Sequence, residues 1–266
     1  MVTTAVIGDV GGHVGHLVDC LSALGVRDGV WPDGLHVVQV GDLFGGGDGD
    51  VEVARLVQPL LYAGRWTQLV GNWELAAVGG PEVSAGDGRR AHPDAMTLFA
   101  RWWGAGLVRY AAPVRSRSGR IAVVTHAGIT RSWATSVGLD DDPAAAVSEV
   151  NAAPVQRLHR GGEMMGDTSN PPSPVWASIP ELWRSWLSPG SPWTQIHGHS
   201  RARDYRDGGW TPWVPKELRV HAHIEDAARR VRWQPAGHAH PLWSIDAGLS
   251  ERAPRGALRA LVVHGD

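Results

Sequence analysis

The sequence predicts a layered α/β fold, because short β-branched runs alternate with amphipathic helical stretches and each run stops at a small polar motif. Ala5-Val6-Ile7 meets Gly8-Asp9, Val37-Val38-Gln39-Val40 meets Gly41-Asp42, and Gln68-Leu69-Val70 meets Gly71-Asn72. Ile121-Ala122-Val123-Val124 meets Thr125-His126, and Thr194-Gln195-Ile196 meets His197-Gly198-His199. The last run, Leu242-Trp243-Ser244-Ile245, meets Asp246-Ala247-Gly248. Apolar runs this short, bounded by glycine, are the pattern of buried strands. In an α/β sheet ligands bind outside the carboxyl ends of the strands, which is where all these polar motifs fall.

The segments between the runs carry helical periodicity. Val14, Leu17, Val18, Leu21 and Leu24 share one helical face, with Gly25 as the C-cap and Cys20 on the buried side. A second helix is predicted over 51–64, with Asp50 as N-cap and a kink at Pro59. A third opens at Asp142-Pro143, since proline suits the first helical position. The stretch 140–192 departs from the alternation, with Gly161-Gly162, the run Asn170-Pro171-Pro172-Ser173-Pro174 and a helix around Trp183 and Trp186. It reads as an insertion or flap within one domain spanning 1–266, because a single α/β unit of this length is ordinary. Trp176, Trp183, Trp186, Trp193, Trp210 and Trp213 either pack this region against the sheet or line an aromatic groove, and packing is the commoner role.

Bulk properties exclude several functions. With 43% hydrophobic and 20% charged residues the chain is globular, not disordered. A formal net charge of −2 gives no general attraction to nucleic acid or to membrane surfaces, so neither is expected as a partner. No apolar run is long enough to span a bilayer, and Met1–Thr4 lacks the basic start of a signal peptide. Cys20 is the only cysteine, which rules out an internal disulfide and suits a reducing, cytoplasmic setting.

Chemistry-bearing residues sit at the strand ends. Asp9, Asp42, Asn72, His126 and His199 mix carboxylate and amide oxygens with imidazoles, a set that suits borderline divalent ions such as Mn, Fe or Zn. A carboxylate between two such ions can bridge them, and the pair can clamp a phosphoryl group and activate water. Taken singly, each residue has an ordinary structural explanation as a turn, a cap or a polar contact. Several in the same topological position do not.

The order Gly8-Asp9, Gly41-Asp42, Gly71-Asn72-X-Glu74, His126-Ala127-Gly128 and Gly198-His199-Ser200 resembles the calcineurin-like metallophosphoesterase superfamily. Asp246-Ala247-Gly248, followed by Gly256-Ala257-Leu258, further resembles its bacterial branch near the diadenosine-tetraphosphatase and serine/threonine phosphatase-like enzymes. The resemblance covers most of the chain outside 140–174 and implies a layered β-sandwich flanked by helices. It also implies two divalent metal ions, with Asp42 bridging them, Asp9 on the first, and Asn72, His126 and His199 on the second.

Several positions depart from the family pattern. Gly11 stands where the resemblance predicts a histidine ligand, so His13 is the candidate replacement, with the glycines at 11 and 12 letting the loop bend back. Otherwise His13 is a helix N-terminal residue facing solvent. Gly45-Gly46-Gly47 stands where Asp-Arg-Gly is expected, and Trp73 where a histidine is. In the family that Asp–His pair protonates the leaving oxygen and the Arg binds phosphate, so no catalytic acid is assigned here. Trp73 becomes a candidate substrate contact for a base or aryl group, or else a core residue. Arg201 (or Arg203) is the candidate to take over phosphate binding, against the ordinary reading of a surface arginine. His240 rivals His199 as ligand but lacks a preceding apolar run, and His197 is expected to orient a ligand from behind. His221 and His223 alternate along a predicted strand with a solvated face.

The expected function is a metal-dependent phosphoester or phosphoanhydride hydrolase acting on a small, nucleotide-like molecule. The alternatives are a pseudophosphatase that binds metal or phosphate without turnover, and a metalloenzyme with a non-phosphate substrate.

Overall fold

Strand alternation decides which face of a sheet each side chain enters. In β1 (Thr3–Ile7) Val6 points between two sheets, while Ala5 and Ile7 face a layer of helices. The same division places Val38 of β2 (Leu35–Gln39) and Leu69 of β3 (Trp66–Leu69) in the inter-sheet core. The structure is a computed structural model that describes residues 3–84, 88–161, 169–249 and 252–264. Gly162 and the rest of 162–168, which belong to the expected insertion, lie outside the described residues.

The remaining strands are β4 (Val108–Arg109), β5 (Ala111–Arg115), β6 (Ile121–Thr125), β7 (Thr194–His197), β8 (Arg203–Asp204), β9 (Gly209–Trp210), β10 (Ala222–Glu225), β11 (Arg230–Trp233), β12 (Leu242–Ser244) and β13 (Leu261–His264). One sheet has the order β13-β1-β2-β3-β4, with β1 to β4 parallel and β13 antiparallel to β1. The other has the order β10-β11-β12-β7-β6-β5, with β12, β7 and β6 parallel. Ala112, Val114, Val124, Ile196 and Ile245 from this sheet meet Val6, Val38, Val40 and Leu69 from the first. The result is a β-sandwich whose parallel strands all deliver their carboxyl ends to one edge.

Helices cover both outer faces. On the first sheet lie α1 (Val14–Ala23), α2 (Asp50–Tyr62) and α3 (Pro93–Gly104). α4 (Arg131–Val137), α5 (Pro143–Ala152), α6 (Val155–Leu158), α7 (Ile179–Ser185) and α8 (Lys216–Arg219) follow, with α5 packed on β5 and β6. Asp142 caps α5, its Oδ1 accepting from the N–H of Ala144 (3.0 Å) and Ala145 (2.8 Å). Trp183 of α7 stacks on Trp233 of β11 with ring centres 5.5 Å apart. Trp176, Trp186 and Trp193 are buried too, so these tryptophans pack, whereas Trp213 is 51% exposed.

Local details differ from expectation where tertiary contacts intervene. Val18 is 42% exposed, and the buried stripe of α1 is Leu17, Cys20 and Leu21. Gly25 follows the C-cap Leu24 in a left-handed conformation at φ +93. Asp50 is the first helical residue of α2 and not its cap, which is Gly49. Its carboxylate is drawn off to the N–H groups of Gly45 (3.1 Å) and His92 (2.8 Å). α2 continues through Pro59 to Tyr62, two residues short of the expected end. Among the described residues no helix is long and apolar enough to cross a membrane.

Candidate metal centre

Two residues at the strand ends hold backbones that L-residues avoid. Asp42 sits at φ +53 after β2, and His199 at φ +65 after β7. Such conformations cost about 1–3 kcal/mol each, so the surroundings must enforce them. Glu74 enforces the first, accepting from the N–H of Asp42 (3.0 Å), Gly71 (2.9 Å) and Phe44 (3.2 Å). Asp9 enforces the second, its two oxygens accepting from the His199 N–H at 3.1 and 3.0 Å. Gly198 makes that approach possible, because a Cβ there would lie 1.9 Å from Asp9 Oδ1.

These backbones aim four donor atoms at one point. Asn72 Oδ1 lies 3.0 Å from His126 Nε2 and 3.1 Å from His199 Nδ1. The two ring nitrogens are 3.1 Å apart, and His126 Nε2 is 3.4 Å from Asp42 Oδ1. The far side of each ring is tied to a carbonyl: His126 Nδ1 lies 3.2 Å from the Val40 oxygen, and the His199 imidazole donates to the Trp176 backbone. Donation there leaves the inward nitrogens as bare lone pairs. Lone pairs facing each other repel, and the Asn72 amide relieves this only by turning over, its nitrogen then donating to Asp42 Oδ2 at 3.0 Å. Among the described residues, candidate ligand atoms of Asp42, His126 and His199 all lie within 4.8 Å of one another.

Electrostatics agree with a cation at this point. Burial, then Asp246 and Asp42, pushes the Asp9 carboxyl well up, and burial, then Glu74, does the same to Asp42. Burial raises Glu74 to about 7 and also raises Asp246, against the pull of Arg201. Burial drives His126 down, helped by His199, and lowers His199 and His197 to about 4. Neutral imidazoles beside crowded acids are what a divalent ion requires, since it holds the carboxylates ionised and accepts the lone pairs. The residues therefore fit a divalent metal. One consequence is measurable. Acids held protonated in the folded, metal-free protein must release protons to bind the ion, whereas the imidazoles are already neutral above about pH 4. The rise in Tm on adding Mn²⁺ is thus expected to grow from pH 5 to pH 8, with proton release in calorimetry; a constant rise would contradict these directions.

The other candidates are distributed unevenly. Asp9 and Asp42 lie close enough for the charge of Asp42 to act on Asp9. His13 follows Asp9 by four residues, on the loop that leads into α1. Its ring lies against the glycine loop, where a Cβ on Gly47 would be 2.8 Å from Nδ1, and it lines a groove with His16, Asp19 and Asp48. His240 precedes β12, at the opposite strand end from His199, and feels the charge of Arg120. His197 is buried at the end of β7 with Nδ1 3.1 Å from the Gly198 oxygen, and His223 is exposed. Arg201 lies against Gly248, beside the Asp246 carboxylate. Glu74 and Asp246 are two further acids at this centre, acting on Asp42 and Asp9. Asp246 carried the same signal as the others, a polar residue straight after an apolar run.

Trp73 has a steric partner. Its indole covers Gly45 so closely that a Cβ there would lie 2.1 Å from Cε3, and Gly45 itself sits at φ +100. Any side chain at 45 would collide with this indole where it lies. The outer side of Trp73 lines a cavity of about 350 Å³ with Val83, Met96 and Ala100. Gly45→Ala is expected to destabilise by about 1–3 kcal/mol from overpacking plus roughly 1–2 kcal/mol from the left-handed backbone. In a Trp73→Ala background only the backbone part should remain. Urea unfolding of the four proteins measures this, and equal costs in both backgrounds would remove the steric coupling.

A sandwich of two sheets flanked by helices, with its parallel strands ending along one edge, is the calcineurin-like fold. Solved structures bear this out. The chain is similar to a cold-active protein tyrosine phosphatase, with 18% identity and a TM-score of 0.51 over 94% of this chain and 72% of that one. It is also similar to a protein serine/threonine phosphatase from Saccharomyces cerevisiae with similarity to human phosphatase PP5, at 14% identity and a TM-score of 0.50 over 92% and 67%. At such identities the likeness fixes the fold and leaves the activity to the site. No protein-family model matches the chain, and no curated protein does.

Proposed function

We propose that this protein hydrolyses phosphoesters or phosphoanhydrides with the help of two divalent metal ions, in one domain that carries 140–192 as an insertion. The observation that carries the proposal is the convergence of Asp42, Asn72, His126 and His199 with inward lone pairs and backbone-anchored rings. These four would hold one ion, and Asp9 with Asp42 the other, with Asp246 close by. When bound, divalent ions polarise phosphoryl oxygens and lower the pKa of water. The chain's own part is to position: Glu74 fixes the Asp42 loop, and Asp9 fixes His199. Trp73 and Arg201 would contact the substrate, a small and nucleotide-like phosphorylated molecule. Placement near the diadenosine-tetraphosphatase enzymes rests on Asp246–Gly248 and Gly256–Leu258 alone.

Phosphate release from aryl phosphates and nucleotide anhydrides, with Mn²⁺ and then with chelator, tests the proposal. Release that requires the ion is expected. The indole over Gly45 favours one other reading, a pseudophosphatase that binds metal or phosphate without turnover. Metal-loaded protein inert to every substrate would select that reading.

A further inference from the structure

The loop Asp246–Gly248 follows β12, and the charge of Asp246 reaches Asp9 and Asp42. Two guanidinium groups lie on this loop. Arg201 packs on Gly248, where a Cβ would sit 2.2 Å from its Cδ and 2.9 Å from its Nη1. Arg229 donates from Nη1 to the Ala247 carbonyl at 3.2 Å, and its guanidinium carbon lies 5.5 Å from the centre of the Tyr205 ring. Arg229 also sits at φ +49, closing the 3-10 turn Asp226–Ala228.

Charge on the loop is unbalanced. Asp246 is the nearby acid for Arg201, and Asp226 is engaged at 3.4 Å with Arg203. Arg229 is held by a carbonyl and a ring, not by a carboxylate. Both arginines are half-buried; burial lowers the Arg229 guanidinium first, Tyr205 opposes this, and the charge on Arg201 lowers it further. Both side chains reach adjacent residues of one loop, Ala247 and Gly248, and two guanidinium forks there can supply paired donors to a phosphate group.

We propose that Arg201 and Arg229 hold the second, non-attacked phosphate of a phosphoanhydride substrate. This rests on the metal-dependent hydrolase reading above. In the reaction, water's oxygen bonds to the attacked terminal phosphorus and the bridging P–O bond breaks with its electron pair leaving on the second phosphate. One water proton stays on the released phosphate and the other goes to solvent. The departing group is a phosphate monoester dianion that needs no proton, which fits a site where Trp73 stands in place of an acid. The arginines stabilise the charge that builds on it.

Binding of methylenediphosphonate and methylphosphonate to Mn²⁺-loaded, desalted full-length protein tests this by calorimetry. Wild type is expected to bind the diphosphonate at least about 10-fold tighter, the scale of charged hydrogen bonds. Arg229→Met should remove most of that preference, changing methylphosphonate affinity less than about 2-fold and Mn²⁺ stoichiometry not at all. If Arg229→Met does not fold, Arg229→Lys, which keeps charge but not the fork, should lose at least about 3-fold for the diphosphonate alone. Equal binding of the two probes by wild type, or equal loss of both in the variant, overturns the inference while leaving the metal reading intact. Failure of wild type to take up Mn²⁺ overturns the metal reading, and this inference with it.

Discussion

Hydrolysis rates should fall steeply from activated aryl phosphates and nucleotide anhydrides to simple alkyl monoesters. The reason lies at Gly45 and Trp73. Where an acid and its orienting carboxylate are expected, the structure has an indole packed onto a glycine, and neither can donate a proton to a departing alkoxide. General-acid help to a leaving group is commonly worth about 10²–10⁴-fold, and alkyl esters should lose that amount while phenolate or phosphate leaving groups lose little. A series of esters with graded leaving-group pKa, run at fixed pH and metal, measures the slope. A flat dependence with measurable chemistry would mean that another residue supplies the proton.

Asp42→Asn should strip most of the bound metal. Asp42 Oδ1 lies 3.4 Å from His126 Nε2, and the charge of Asp42 acts on Asp9. Losing a partner that merely orients a ligand costs about 10- to 100-fold in metal affinity, and removing a shared ligand's charge should cost more than that. The substitution keeps the size of the side chain, and the Asp42 N–H that Glu74 holds belongs to the backbone, so the fold should survive. Metal content per chain by elemental analysis after dialysis reads the effect. An unchanged content would remove Asp42 from the centre, and with it the bridge.

The fold was readable because burial leaves a periodic trace. Val6, Val38 and Val124 enter the inter-sheet core from runs that alternate or persist as strands do, and the polar residue after each run marks the strand end. What sequence could not supply was direction. The His13 ring packs on the Gly46–Gly47 loop, more than thirty residues along the chain, a contact that its own motif does not announce. Asp50 has the composition of a cap, but Gly45 and His92 claim its oxygens, one of them 42 residues along the chain. The exclusion between a Gly45 side chain and Trp73 is a contact across two loops, invisible in either motif alone. Asp246 bears the strand-end signal in the sequence, but its nearness to Asp9 and Arg201, from distant segments, is a property of the closed sandwich.

Electron paramagnetic resonance of the protein titrated with Mn²⁺ tests the central claim most directly. Two ions that share the Asp42 carboxylate should give two Mn²⁺ per chain and an exchange-coupled signal that Asp42→Asn abolishes. Full titration that leaves all the manganese free in solution would contradict a divalent-metal centre at Asp42, His126 and His199.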